Sequence, residues 1–360
     1  MTPQPPEDRR LTNASAGEPL APEPLAKALA AFISHASGAE TSVAIDKRFV
    51  NGFSWLTYGI SVTQSADGMP TDPRKLILRL GHARGLLSPY LAHPEAVVLS
   101  ALSKSSVPVP PVLWHSDDPS ILGAPFLVVG FAEGSETSAF GRKGEDDVAR
   151  DRAIGEQFVD ILAALHQFDW RSTSVANVLP ICEEGDAALQ QVDRWRQMIE
   201  KSGTRPLPVL QYAIRWLENN PPRSPRVSIV HGDYRAGNFL QRDGRITAVL
   251  DWELMHLGDP HADLAWASMR FLSGGQDLVS GLLPRAEFMR RYEKASGIAV
   301  SAASMRYYEV LALVKICAMN LRAVGRVERG EAPDARMTAL GFGLPQLQSE
   351  IVRVLKKETS

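Results

Sequence analysis

Two cysteines in 360 residues, Cys182 and Cys317, are too few and too far apart for a disulfide framework or a thiolate zinc site. They are expected as reduced thiols in a cytoplasm. No apolar run approaches the roughly 20 residues that a membrane span needs. The longest, Val310 to Met319, is interrupted by Lys315, flanked by Arg306, Glu309 and Arg322, and reads as a buried helix. The chain opens Met1-Thr-Pro-Gln-Pro-Pro6 with charges from Glu7 to Arg10, which excludes the apolar stretch of a signal peptide. An excess of one charge is lacking too: a net charge of -2 gives no case for nucleic acid as a partner. His256 and His261 lack metal-ligand spacing with other His or Cys, and no internal repeat is evident.

What is present is ordinary globular material, 44% hydrophobic and 22% charged, long enough for one or two cores. Residues 1–22, rich in Pro, Glu and small polar residues, read as a disordered tail. The chemistry is concentrated in His231-Gly-Asp-Tyr-Arg-Ala-Gly-Asn238 and, after a short gap, Leu250-Asp251-Trp252-Glu253. A hydroxyl attacking the γ-phosphate of ATP needs a carboxylate to orient it and take its proton, a cation on the moving phosphoryl group, and oxygen ligands for Mg²⁺. Asp233 is the candidate base. Arg235 can direct a guanidinium at the γ-phosphate. Asn238 and Asp251 offer the amide and carboxylate oxygens that a small hard cation prefers. Between them, Gln241-Arg-Asp-Gly244 has a hairpin-type Asp-Gly turn, and Ile246 to Leu250 reads as a strand, so a hairpin would return Asp251 to Asn238. Each residue taken alone is equally at home in a turn; the joint pattern points to phosphoryl transfer.

A second motif, Gly258-Asp-Pro-His-Ala-Asp-Leu-Ala-Trp266, follows closely. By itself Asp259 before Pro260 reads as an N-cap with proline at the first helical position, with Asp263 one turn on. Together the motifs resemble the aminoglycoside phosphotransferase and choline kinase superfamily, which shares the protein-kinase-like fold. The wording His-Gly-Asp-Tyr-Arg, Asp-Trp-Glu and Gly-Asp-Pro is most similar to the kinase-like domains fused to, or encoded beside, acyl-CoA dehydrogenases. The resemblance covers roughly residues 25 to 355 and is most specific between 228 and 266. It implies an α+β, bilobal fold, with a small β-sheet lobe at 23–131 and a mainly helical catalytic and acceptor-binding lobe at 132–360. ATP and Mg²⁺ are implied with it. So are supporting roles for His231, holding the loop, and for Asp263, accepting hydrogen bonds from the loop backbone.

Elsewhere the expectations follow the two-lobe plan. Leu25, Leu29, Phe32 and Ile33 line a helix that starts near Pro24 and ends at Gly38. Ile45 to Val62 and Lys75 to Leu80 read as strands around Asn51-Gly-Phe-Ser-Trp-Leu-Thr-Tyr58, where the resemblance puts a phosphate-covering loop. With a single glycine the segment also reads as a hairpin turn; as a phosphate loop it would use Ser54 and backbone N–H groups near Gly52. Arg79 stands where kinases carry a strand lysine and can hold phosphate oxygens bidentately. Glu95, in the first turn of the next helix, is its candidate partner, or simply a complement to the helix dipole. Backbone groups from Val129 to Phe131 would meet the adenine edge. Ala139 to Arg150 reads as a surface connection, followed by a helix with a core stripe of Ile154, Phe158, Ile161, Leu162 and Leu165. The helical stretch 184–219, with Leu189, Val192, Trp195, Met198, Ile199, Leu210, Trp216 and Leu217, is an insert that would help to build the acceptor pocket, its tryptophans read as core.

From Gly281 to Ser360 there are 13 Lys or Arg against 8 Asp or Glu, an excess of five positive charges. A polycationic aminoglycoside calls for carboxylates, whereas this region suits an anionic hydroxylated small molecule, a hydroxyacyl-CoA or hydroxy acid. Two alternatives stay open: an antibiotic kinase of the same fold, and a nucleotide-binding pseudokinase, which the intact Asp233, Asn238 and Asp251 argue against and which the glycine-poor loop and Arg79 in place of lysine keep open.

Overall fold

The computed structural model describes residues 20–50, 52–66, 69–136, 145–270, 277–331 and 334–356. The expected tail therefore lies almost wholly outside the described residues, as do Asn51 and 137–144. The chain divides into two compact units: residues up to Ala92 with Trp114–Val128, and His93–Leu113 with Val129 onward.

In the first unit, α1 (Pro22–Ser37) buries Leu25, Leu29 and Ile33, and Phe32 meets Phe126 edge-on at 5.1 Å. Gly38 ends the helix at φ 71, a left-handed conformation that costs glycine nothing. Strands β1 (Thr41–Phe49), β2 (Leu56–Ala66), β3 (Met69–Pro70) and β4 (Arg74–Leu80) follow. With β5 (Val112–Ser116) and β6 (Phe126–Gly130) they form a sheet ordered β1-β2-β4-β6-β5, β3 pairing with β2. The alternation in β4 buries Leu76, Leu78 and Leu80 on one face. α3 (Pro119–Leu122) is a single turn capped by Asp118.

The second unit contains α2 (Ala92–Leu102), apart from its first residue; the sequence reading had assigned that helix to the N-terminal lobe. After β7 (Ser135–Glu136) comes α4 (Glu145–Gln167), which carries Ile154, Phe158, Leu162 and Leu165 into the core. It starts at Glu145, inside the stretch read as a surface connection. Polarity misled there: residues 145–154 hold no Pro or Gly, so nothing breaks the helix. The insert forms α5 (Ala187–Lys201) and α6 (Pro208–Asn219). It buries Val192, Trp195, Leu210 and Leu217 but leaves Leu189 exposed. The catalytic segment is framed by β8 (Ser228–Val230), β9 (Phe239–Arg242), β10 (Arg245–Val249), β11 (His256–Gly258) and α7 (His261–Ala267). Beyond lie β12 (Leu278–Val279), β13 (Leu283–Pro284), α8 (Arg285–Ser296), the long buried α9 (Ala302–Glu328), α10 (Ala335–Ala339) and α11 (Leu344–Leu355). α9 packs against α5, α6, α7 and α11. No helix among the described residues is long and apolar enough to cross a membrane.

Candidate active site

The loop from His231 to Asn238 leaves the end of β8, which pairs antiparallel with β11 from Ser228↔Gly258 to Val230↔His256. Its return is set by the β9–β10 hairpin. Asp243 and Gly244 both have positive φ, 51° and 75°, the requirement of the two-residue turn that Asp-Gly signals. The Leu250 N–H then donates to the Asn238 carbonyl at 2.8 Å, which brings Asp251 beside Asn238. Asp251 has φ 66, a conformation uncommon outside glycine and tolerated best by Asn and Asp.

Asp263, fully buried on α7, fixes the start of the loop. Its carboxylate accepts the backbone N–H of His231 at 2.7 Å and of Gly232 at 2.9 Å, and faces His166 Nε2 at 3.2 Å. Burial alone would raise this carboxyl; the hydrogen bonds and the nearby histidines outweigh it and hold it below the usual carboxylate range. Gly232 has φ 84, and a Cβ there would lie 2.5 Å from the Leu254 carbonyl oxygen, so only glycine fits. His231 is buried, and burial keeps its pKa below the ordinary value. In its neutral form Nε2–H donates to the Leu250 carbonyl at 2.9 Å while Nδ1 accepts the Asp233 N–H at 3.1 Å. The imidazole thus ties the loop to the end of β10, and both of its nitrogens are occupied.

Asp233 is the focus of the loop's side chains. Its Oδ1 accepts Trp266 Nε1–H at 2.6 Å and Arg235 Nε–H at 3.0 Å; its Oδ2 accepts Asn238 Nδ2–H at 2.6 Å. Three donors hold the carboxylate in one orientation while its side chain stays 15% exposed, enough for a reactant to reach it. Arg235 spends Nε on Asp233 and a terminal N–H on the Ala236 carbonyl, leaving other donors of its fork for a phosphate. Because the Asn238 amide donates to Asp233, its carbonyl oxygen is the end left to face a cation. Among the described residues no group of three or more His, Cys, Asp or Glu side chains could cage a metal. A pair such as Asn238 and Asp251 fits a hard cation that keeps waters and substrate phosphates in its shell.

The sequence reading missed Trp266 as a donor to Asp233, and it missed Lys315. That lysine, on α9, is 7% exposed, donates to the Gly232 carbonyl, and lies 3.9 Å from the ring centre of Trp266. One charge inside an apolar helical stretch was the available signal, since lysine is rarely buried without a reason. His256 Nδ1 lies 3.0 Å from the Leu254 carbonyl, and His261 bridges Asp259 Oδ1 and the Ser301 N–H. Asp259 also accepts the His261 N–H at 2.8 Å, but α7 begins at His261, so the N-cap position falls on Pro260 and not on Asp259 as expected.

The remaining candidates divide between the units. In the first, Ser54 is buried and Gly52 exposed in the β1–β2 connection. Arg79 on β4 stands opposite Thr57 on β2, its guanidinium 5.2 Å from the Trp55 ring centre. In the second, Glu95 is buried on α2, Val129 is buried at the end of β6, and Phe131 is 47% exposed. The Gly130 N–H between them is already used by the Pro111 carbonyl, at 2.8 Å.

A kinase-like phosphotransferase is the class these features define: an N-terminal antiparallel sheet, a mainly helical second unit, and an aspartate on a clamped His-x-Asp loop. The chain belongs to the phosphotransferase enzyme family, its match covering residues 66–308. Among solved structures it is similar to a nominal aminoglycoside phosphotransferase from Ralstonia eutropha JMP134 (TM-score 0.70, 23% identity, 93% of this chain and 99% of that one). It also resembles the aminoglycoside phosphotransferase APH(4)-Ia in a ternary complex with AMP-PNP and hygromycin B (TM-score 0.57, 17% identity, 92% and 100%). Among curated proteins it is 33% identical over 201 residues to acyl-CoA dehydrogenase family member 10 of Mus musculus, covering 55% of this chain and 18% of that protein. It is 28% identical over 312 residues to the probable acyl-CoA dehydrogenase IBR3 of Arabidopsis thaliana, covering 79% and 36%. The chain thus spans well under half the length of these relatives.

Proposed function

We propose that the protein transfers the γ-phosphoryl group of ATP to a hydroxyl of a small acceptor that carries an acyl group, a hydroxy acid or a hydroxyacyl-CoA. The observation that carries this reading is the Asp233 carboxylate, oriented by Trp266, Asn238 and Arg235 and still open to solvent. Asp233 accepts the proton of the acceptor hydroxyl as its oxygen bonds to the γ-phosphorus. The bond from that phosphorus to the β–γ bridging oxygen breaks, and ADP leaves with the electron pair. Arg235, beside the base, neutralises charge on the moving phosphoryl group. Asn238 and Asp251 would hold Mg²⁺, which when bound neutralises the triphosphate. Roles toward phosphate for Gly52, Ser54 and Arg79 of the first unit, and toward the nucleotide for Glu95 and the backbone at Val129 and Phe131 of the second, rest on the family resemblance alone.

The acceptor class rests on different grounds. Cations of the C-terminal region are held in ion pairs, among them Arg285–Glu309, Arg329–Glu331 and Arg353–Glu350 within the region, which leave its excess of five unchanged, and Arg291–Asp160 outside it. A regional charge excess does not say which cations face the acceptor. Likeness to proteins named as acyl-CoA dehydrogenases and the buried cation Lys315 support an acyl acceptor better. The test is mass spectrometry after incubation with Mg²⁺-ATP and a panel of hydroxyacyl-CoAs, free hydroxy acids, aminoglycosides, macrolides and choline. A phosphorylated acyl product is expected; phosphorylation of an antibiotic alone would overturn the acceptor class, and ATP binding with no product across the panel would favour a pseudokinase.

A further inference from the structure

A small cavity of about 30 Å³ lies against the catalytic loop within the second unit, lined in part by Trp195, Gly232, His256, Trp266, Tyr308 and Lys315. Its closed part has room for a group about the size of a carboxylate or a carbonyl. Its one charged lining group is Lys315. An ammonium has three donors, and among the described residues Lys315 uses one on the Gly232 carbonyl and has no carboxylate within ion-pair distance. The indole faces of Trp266 and Trp195, at 3.9 and 5.6 Å, stabilise the cation without occupying its protons. Arg194, 5.0 Å from the ring centre of Trp195, lies outside the cavity lining. His256 contributes no positive charge, because burial pushes its pKa down to about 3. Trp266 couples this cavity to the reaction, since the indole whose face carries Lys315 donates its N–H to Asp233.

Building on the phosphotransferase reading above, we propose that this cavity anchors the acyl oxygen of the acceptor, with Lys315 as its donor. The width of one indole separates Lys315 from Asp233. The acceptor class is thus a molecule with a hydroxyl and, a short carbon spacer away, a carboxylate or thioester carbonyl. A lysine that only stiffened the loop through Gly232 would impose no such preference.

The experiment measures kcat/KM with Mg²⁺-ATP for hydroxyhexanoates whose hydroxyl moves from the third to the fifth carbon, as free acids, as CoA thioesters, and as matched hexanediols lacking the acyl oxygen. The unaltered protein is expected to favour one acyl form over its diol by about a hundredfold, the size of a charge-assisted hydrogen bond; whether acid or thioester leads identifies the source of that oxygen. Lys315→Met should bring the ratio to about one, and Lys315→Arg should retain part of it. Because the ratio is taken within each variant, a general loss of activity cancels. Should Lys315→Met not fold, the ratios for the unaltered protein and Lys315→Arg decide. Equal transfer to diols and to both acyl forms, or a ratio undiminished in Lys315→Met, overturns the anchor and leaves the phosphotransferase reading standing. Absence of Asp233-dependent transfer to any acceptor overturns both.

Discussion

Replacing Asp263 by Asn changes one atom of a fully buried side chain and should disable the loop without touching the reacting groups. The native carboxylate accepts two backbone N–H groups, from His231 and Gly232, and faces His166. An amide has only one acceptor oxygen, so one backbone N–H would confront an NH₂. Losing a hydrogen bond to a charged group costs about 1.5–3 kcal/mol, and the stranded buried donor about 1–3 kcal/mol more. A loss of about 3–5 kcal/mol should lower the calorimetric Tm by roughly 10 °C. The deficit should also depend on pH. Asp263 is held below its ordinary value of 3.8 in the folded protein. Its stabilisation is therefore fully present above that value and is lost as the pH falls through the lower folded pKa. The gap in Tm between the native protein and the variant should be constant from neutrality down to about pH 4 and then narrow. Turnover should fall with it, because Asp233 stands two residues from the clamp. An Asp263→Asn protein with native Tm and native turnover would refute the clamp.

Two further outcomes are expected. Asp251→Asn, which keeps a residue type tolerant of positive φ, should abolish the Mg²⁺ dependence of ATP binding measured by calorimetry; unchanged Mg²⁺-linked affinity would remove Asp251 from the metal site. Lys315, which burial lowers from 10.5 to about 8, faces Asp233 and Asp263, which raise its pKa, and Arg194 and Arg235, which lower it further. The unfolded chain holds the additional proton between those two values. Stability relative to Lys315→Met should therefore rise from pH 8 to 10.5 and stay flat below; a gap that does not vary with pH would contradict this.

The parts of the site that were legible in the sequence are those whose partners are local or follow from turn chemistry. The Asp243-Gly244 turn announced the hairpin, and Asp233, Arg235 and Asn238 share one eight-residue loop. The rest depends on contacts distant in sequence. Trp266 reaches Asp233 across 33 residues and Lys315 reaches Gly232 across 83, and no local periodicity encodes either. Lys315 therefore read as an interruption of an apolar helix. The C-terminal positive excess is silent on placement for the complementary reason: composition counts charges, while the fold decides which are paired, Arg285 with Glu309 and Arg291 with Asp160. The polar start of α4 shows that polarity without Pro or Gly does not end a helix.

The most direct test of phosphoryl transfer through Asp233 is a single-turnover measurement with the Asp233→Asn variant, following phosphate on the acceptor alongside ATP affinity. Loss of at least about a thousandfold in the transfer rate with ATP affinity unchanged is the predicted result. Transfer at near-native rate would contradict Asp233 as the base.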